Sequence, residues 1–251
     1  MLLEGKVAVV YGAGDIGGAV AKAFAAEGAR VFVGNRTGAK AEAVAAEIEG
    51  AGGVARGLEV DALDEASVRG FVDAVVAEAG RLDISFDLIS AGDVQGTPLV
   101  EMSWEDFARP IETVVRSNFL TIKAAAPHMI RGGGGVVLFF GGAGDPVPNY
   151  SIGGFQIALH AVEAMRRQYS SELGAAGVRF VTMRTGGIPE TLPDTIGGAE
   201  GLRASLAEAT MTGRAATLED VGNVAAFVAS DRARTMTAAT VNVSAGAQID
   251  H

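Results

Sequence analysis

Three glycines, Gly12, Gly14 and Gly17, stand at the spacing G-x-G-x-x-G, directly after the apolar run KVAVVY and directly before the helical pattern AVAKAFAAEG. Absent side chains at that spacing permit a tight turn, close approach of backbone to a pyrophosphate, and close packing of helix on strand. Because the loop sits between a strand pattern and a helix pattern, we read Gly12 to Gly17, with Asp15 and Ile16 inside it, as a dinucleotide site rather than a plain turn. A carboxylate repels pyrophosphate unless it faces solvent or caps the helix, and capping is the role expected of Asp15. The next strand pattern ends in Gly34-Asn35-Arg36, the place where dinucleotide folds read the adenosine ribose. An acid there would take the ribose hydroxyls of NAD. Asn35 and Arg36 instead leave room and positive charge for a 2′-phosphate, which favours NADP(H) over NAD(H). Lys40 reads as a solvated lysine near the same end. Asp61 closes the third strand pattern, where it either contacts adenine or starts a turn.

The elements that must hold these residues alternate along the chain. Strand-like runs KVAVVY, RVFVGN, VARGLEV, FDLIS, GVVLFF, VRFVTM and TVNV are separated by amphipathic patterns, the first of them AVAKAFAAEG, AKAEAVAAEIEG and EASVRGFVDAVVAEAG. Continuous apolar runs joined by helices imply parallel strands with crossovers, hence an α/β fold: one doubly wound sheet of about seven strands and six helices. A length of 251 residues fits a single domain of this class. No apolar run reaches the ~18 residues of a membrane span, and the first residues lack the basic flank and cleavage site of a secretory signal, so a cytoplasmic protein is expected. A formal net charge of -10 argues against a nucleic-acid partner. With no cysteine there is no thiolate nucleophile, no disulfide and no cysteine-held metal. No metal site is indicated, and a small molecule is the expected partner of the site.

Taken together these motifs resemble the short-chain dehydrogenase/reductase family from Lys6 to about Gly246. KVAVVYGAGDIGGAVAKAFAAEGARV is similar to that family's opening unit, with the glycine loop one residue shorter and Tyr11 in place of threonine. Ile89-Ser90-Ala91-Gly92 stands where the family has Asn-Asn-Ala-Gly, and RSNFLTIKAAAPHM resembles the helix carrying its asparagine, here Asn118. Thr185-Gly186-Gly187-Ile188-Pro189-Glu190-Thr191 resembles the turn that touches the nicotinamide, and GRAATLEDVGNVAAFVASD and TVNVSAG the last helix and strand. The resemblance implies a Rossmann fold and cofactor contacts at Ser90, Ala91, Gly92, Gly186, Ile188 and Thr191; the segment at about 189–212, rich in Gly, Ala and Thr, is expected to be a substrate lid. The resemblance also implies a homodimer or homotetramer built on the helices of Asn118 and Phe155.

The family's chemistry rests on a serine, a tyrosine and a lysine. Aligning FQIALHAVEAM with the family's Y-S-A-S-K-A-A-L-E-A-M puts Phe155 at the tyrosine and Leu159 at the lysine, while Gly141-Gly142 follows the strand where the serine is expected. Phenylalanine has no proton to give, and a positioned general acid contributes ~10² to 10⁴ in rate, so ordinary ketone reduction is not expected. Substitutes with catalytic potential are Asn118, Tyr150 and Asp93, with Gln95 beside the last; Gln156, Asp145 and Arg184 are weaker. Tyr150 equally fits a loop aromatic near the pocket mouth, and Asp93 a solvated loop acid. His160 reads as an interface or core histidine and His128 as a helix-end cap. Trp104 and Phe107 are expected in the core or the cleft wall, and Met165 and Phe227 in the core. Three functions remain open: an oxidoreductase acting on an iminium or other activated electrophile, a non-redox isomerase or cyclase on the same scaffold, and a catalytically silent cofactor-binding sensor or subunit.

Overall fold

Alternation along the strands explains why one sheet forms with a helical layer on each side. In β1 (Val7–Tyr11), Ala8 and Val10 face one layer while Val7, Val9 and Tyr11 face the other, and all are buried. The same division separates Val31 and Val33 from Phe32 in β2 (Arg30–Asn35), and Val136 and Leu138 from Val137 and Phe139 in β5 (Gly135–Phe140). A strand covered on both faces must be apolar on both, which is why these runs are continuous and not alternating in sequence. This computed structural model describes residues 1–141, 150–192 and 199–249. With β3 (Val54–Glu59), β4 (Ile84–Asp87), β6 (Val178–Thr185) and β7 (Ala239–Val243), the sheet has seven strands in the order β3-β2-β1-β4-β5-β6-β7. Every pairing is parallel.

Helices α1 (Asp15–Ala26), α2 (Gly38–Gly50) and α7 (Leu218–Ala229) cover one face. The other face carries α3 (Glu65–Ala79), α4 (Trp104–Arg131) and α5 (Phe155–Leu173). Side-chain caps set three of the starts: Asp64 accepts from the Ser67 N–H, Ser103 from that of Asp106, and Thr217 forms a reciprocal pair with Asp220. A buried ion pair on α5, Glu163 with Arg166 at 2.7 Å, receives the Thr240 hydroxyl from β7 at 3.0 Å. Burial alone would raise the Glu163 carboxyl, but donors from Thr182, Arg166 and Thr240 more than offset it and hold the group below its ordinary range. That network ties α5 to β7.

Sequence and structure differ in four places. A seventh helix, α6 (Ala199–Glu208), lies within the segment expected to be a lid, because its Gly and Ala content masks a short helical pattern. Strand β4 ends at Asp87, earlier than the FDLIS run, because the Ile89 N–H turns back to the Asp87 carboxylate at 3.2 Å and leaves the ladder. Trp104 is 70% exposed at the start of α4, its ring 5.9 Å from that of Phe107, so it is not a core residue. Phe227, at 41% exposure, is likewise a surface residue of α7.

Candidate active site

Between β1 and β4 the chain reverses its direction of travel across the sheet, and open α/β sheets bind ligands at the carboxyl ends of strands at such a point. A cleft of about 820 Å³ lies there. Its floor is the glycine loop, and the loop's three glycines differ in what they do. Gly12 has a φ of +101°, and a Cβ on it would lie 2.5 Å from the Leu88 carbonyl oxygen. A Cβ on Gly17 would overlap the Gly12 carbonyl oxygen. Gly14 has nothing within 4 Å of such a Cβ, so its freedom serves the open volume and not the fold. Gly14 is also the N-cap of α1 with no side chain capping it, which corrects the role expected of Asp15. Asp15 is instead the exposed first residue of the helix, and both it and Ile16 line the cleft.

At the adenosine end the cleft is lined by Asn35, Arg36, Lys40 and Asp61. The Asn35 side chain accepts from the Ala13 N–H at 3.4 Å and donates to the Thr37 carbonyl at 3.1 Å, bracing the glycine loop against the end of β2. Arg36 and Lys40 are exposed and form no ion pair among the described residues. Asp61 starts a turn, its carboxylate taking the Leu63 N–H at 2.9 Å, and it also borders the cleft. Arg109 and Thr113 on α4 also line the cleft. Sequence reasoning missed them, although their i, i+4 spacing places both on one face of the helix.

Under the cleft, Tyr11 and Asp87 are register partners on adjacent strands, both buried. Burial pushes the Asp87 carboxyl up to about 6, opposed in part by the Ser117 hydroxyl and the Ile89 N–H. Burial, and behind it the Asp87 charge, push the Tyr11 phenol well above its ordinary value. Neither the Tyr11 hydroxyl nor the Asp87 Oδ2 finds a hydrogen-bond partner among the described residues.

Toward the opposite end, Ser90, Ala91 and Gly92 line the cleft, with the Ser90 hydroxyl accepting from the Gly92 N–H at 3.3 Å. Thr191 lines it from the far side, whereas Gly186 and Ile188 do not. Ile188 is buried in the core on the face covered by α1, α2 and α7, and a Cβ on Gly186 would meet Ala247 at 3.1 Å. Asn118 is buried in α4 and donates to the Val114 carbonyl at 2.9 Å, within its own helix. Phe155 is the first residue of α5 and Leu159 lies one turn on. Gly141 has a φ of +130°, and a Cβ there would overlap the Leu159 Cδ2, so the leucine fills the volume that a side chain at 141 would need. Gly142 and Asp145 lie outside the described residues. Arg184 is buried in β6, Gln156 lies in the first turn of α5, and His160 is exposed with its Nδ1 2.8 Å from the Gln156 carbonyl. Two loops meet at Tyr150, whose hydroxyl donates to the Gln95 Oε1 at 2.9 Å; the Gln95 Nε2 donates to the Asp93 Oδ2 at 2.6 Å.

The family described as enoyl-(acyl carrier protein) reductase matches residues 12–248 of the chain. D-threitol dehydrogenase of Mycolicibacterium smegmatis is 32% identical over 248 residues, 97% of this chain and 93% of the relative. The chain belongs to the short-chain dehydrogenase/reductase family. Another member with which it aligns, 2,5-dichloro-2,5-cyclohexadiene-1,4-diol dehydrogenase of Sphingobium indicum, is 30% identical over 245 residues, 97% of this chain and 96% of the relative. A putative short-chain dehydrogenase/reductase from Burkholderia xenovorans superposes with a TM-score of 0.88 at 30% identity, covering 99% of both chains. Short-chain dehydrogenases/reductases are oxidoreductases that use nicotinamide cofactors. The cleft fits such a group: Gly14 leaves open space over the start of α1, and Arg36 and Lys40 stand at its edge without acidic partners among the described residues. No helix of the described residues is long and apolar enough to cross a membrane.

Proposed function

We propose that the protein is an NADP(H)-dependent oxidoreductase whose reacting end is non-standard, with Gly141, Phe155 and Leu159 in the places of the family's serine, tyrosine and lysine. The observation that carries this reading is the meeting of Leu159 and Gly141: a side chain at 141 would need a strained positive φ and would displace the Leu159 Cδ2. Arg36 and Lys40 would hold the 2′-phosphate, Asn35 would keep the glycine loop in register with them, and Gly14 would admit the pyrophosphate. Bound nicotinamide supplies a hydride. Beside it, Phe155 and Leu159 offer neither a proton nor a strong donor, so an alkoxide developing on a ketone would be left unsupported. An iminium or a similarly activated electrophile needs neither, because its π electron pair moves onto a nitrogen that already bears positive charge.

Titration with NADPH and NADH is the first test: NADPH is expected to bind more tightly, and binding of neither at millimolar concentration would sink the redox reading. Hydride transfer from labelled NADPH to imines, and not to matched ketones, is then expected; transfer to neither would favour an isomerase, a cyclase or a silent cofactor-binding subunit. The groove between α4 and α5, lined by Ile111, Val115, Phe119, Met165 and Tyr169, supports a homodimer through these helices or a homotetramer. Light scattering of Phe119→Glu should then show smaller particles than the parent.

A further inference from the structure

The chain of hydrogen bonds from Asp93 through Gln95 to Tyr150 has only one possible direction. An ionised carboxylate accepts and cannot donate, so the Gln95 amide must turn its NH₂ toward Asp93, as the 2.6 Å contact shows. Its carbonyl oxygen therefore faces Tyr150 and can only accept, so the phenol proton is committed to Gln95 at 2.9 Å. The remaining lone pairs of the Tyr150 oxygen receive no donor among the described residues, and the side chain is 51% exposed. Asp93 follows Gly92, which lines the cleft, and a bond from the Gly96 N–H to the Ser151 carbonyl at 2.7 Å ties the two loops together. Arg109 on α4 reaches the Gly92 carbonyl at 3.5 Å, and its charge is paired with Asp106 at 2.9 Å. A site with an oriented acceptor and an adjacent carboxylate favours positive charge and repels an oxyanion.

We propose that Tyr150, positioned by Gln95 and Asp93, is a hydrogen-bond acceptor for a cationic N–H group, so that the site takes a protonated imine and, once hydride addition has given the neutral amine and solvent has protonated it, the product ammonium. This deepens the redox reading and depends on it only for the reaction: the recognition itself follows from the hydrogen-bond directions. Tyr150 binds; Gln95 and Asp93 position it.

Equilibrium binding tests this on the full chain, with 2-methylpyrrolidine as its hydrochloride and cyclopentanol as a neutral ring of similar size. The ammonium is expected to bind at least ~10-fold more tightly, since hydrogen bonds to charged groups are the stronger kind. Tyr150→Phe should weaken ammonium binding about 10-fold, and Asp93→Asn by at least as much, because an amide at 93 frees Gln95 to turn over. In both variants the ratio of ammonium to alcohol affinity should collapse, which a loosened loop alone would not cause; circular dichroism and the unfolding midpoint establish that each variant is folded. Ammonium binding unaffected by Tyr150→Phe overturns the proposal, as does equal affinity for the alcohol. Should NADPH bind while the ammonium does not, this inference fails and the redox reading stands; Tyr150-dependent ammonium binding without NADPH binding has the opposite meaning.

Discussion

The glycine loop after β1 and the chain after β5 both leave carboxyl ends of strands in one parallel sheet, yet they treat space in opposite ways. At the glycine loop and Arg36 the chain leaves volume open and cations without ion-pair partners among the described residues. Around Leu159 and Gly141 the volume is filled by the protein's own apolar side chain. A scaffold of this kind lets ligand binding and bond-making chemistry vary independently, because each depends on a few side chains at different strand ends and neither is needed to close the sheet.

The contrast can be broken most severely at the open end. Gly17→Val places a branched side chain into the Gly12 carbonyl, and NADPH affinity should fall by more than about 100-fold in a fluorescence titration. At the filled end, Gly141→Ser should cost about 3 kcal/mol of unfolding free energy, from positive φ and overlap with Leu159. In a urea-unfolding double-mutant cycle, adding Leu159→Ala should recover about 1 to 2 kcal/mol of that, and strict additivity would show that the two residues are not a matched pair.

Asp87 lies beneath the boundary between the ends. Its carboxyl titrates near 6 in the fold and near ~4 in an unfolded chain, so below ~4 both states hold the proton and nothing is lost. Between those values the folded state keeps a proton that the unfolded state releases, and stability therefore falls as pH rises, by about 2 to 3 kcal/mol in all. Asp87→Asn should remove that slope from the difference between unfolding curves measured from pH 4 to 7. Smallest is the expected effect of Arg36→Ala, which should weaken NADPH about 10-fold and NADH hardly at all, sharpening the adenosine end without touching the other.

The open end was legible because its signals are local: a glycine spacing, a strand before it, and a helix after it. The central strands could be read for the same reason, the apolar runs of β1, β2 and β5 being continuous, whereas the edge strands β3 and β7 carry polar residues and were legible from their place in the alternation. Distance in the chain hid the rest. Arg109 and Thr113 reach the cleft from a helix that carries no motif for it, and the Tyr150 to Gln95 bond joins residues 55 positions apart. That Leu159 occupies space at 141 could not be read, since that requires knowing how α5 leans on the end of β5. Asp15 was misjudged because Gly14 makes the cap through backbone geometry alone, which residue type does not reveal.

The contact between Leu159 and Gly141 also bears on descent. A serine arriving first at 141 meets the leucine, and a shorter residue arriving first at 159 leaves a void beside a glycine that gives it nothing in return. What one of the two positions accepts therefore depends on the other, and a side chain at 141 is best accommodated when both residues change together.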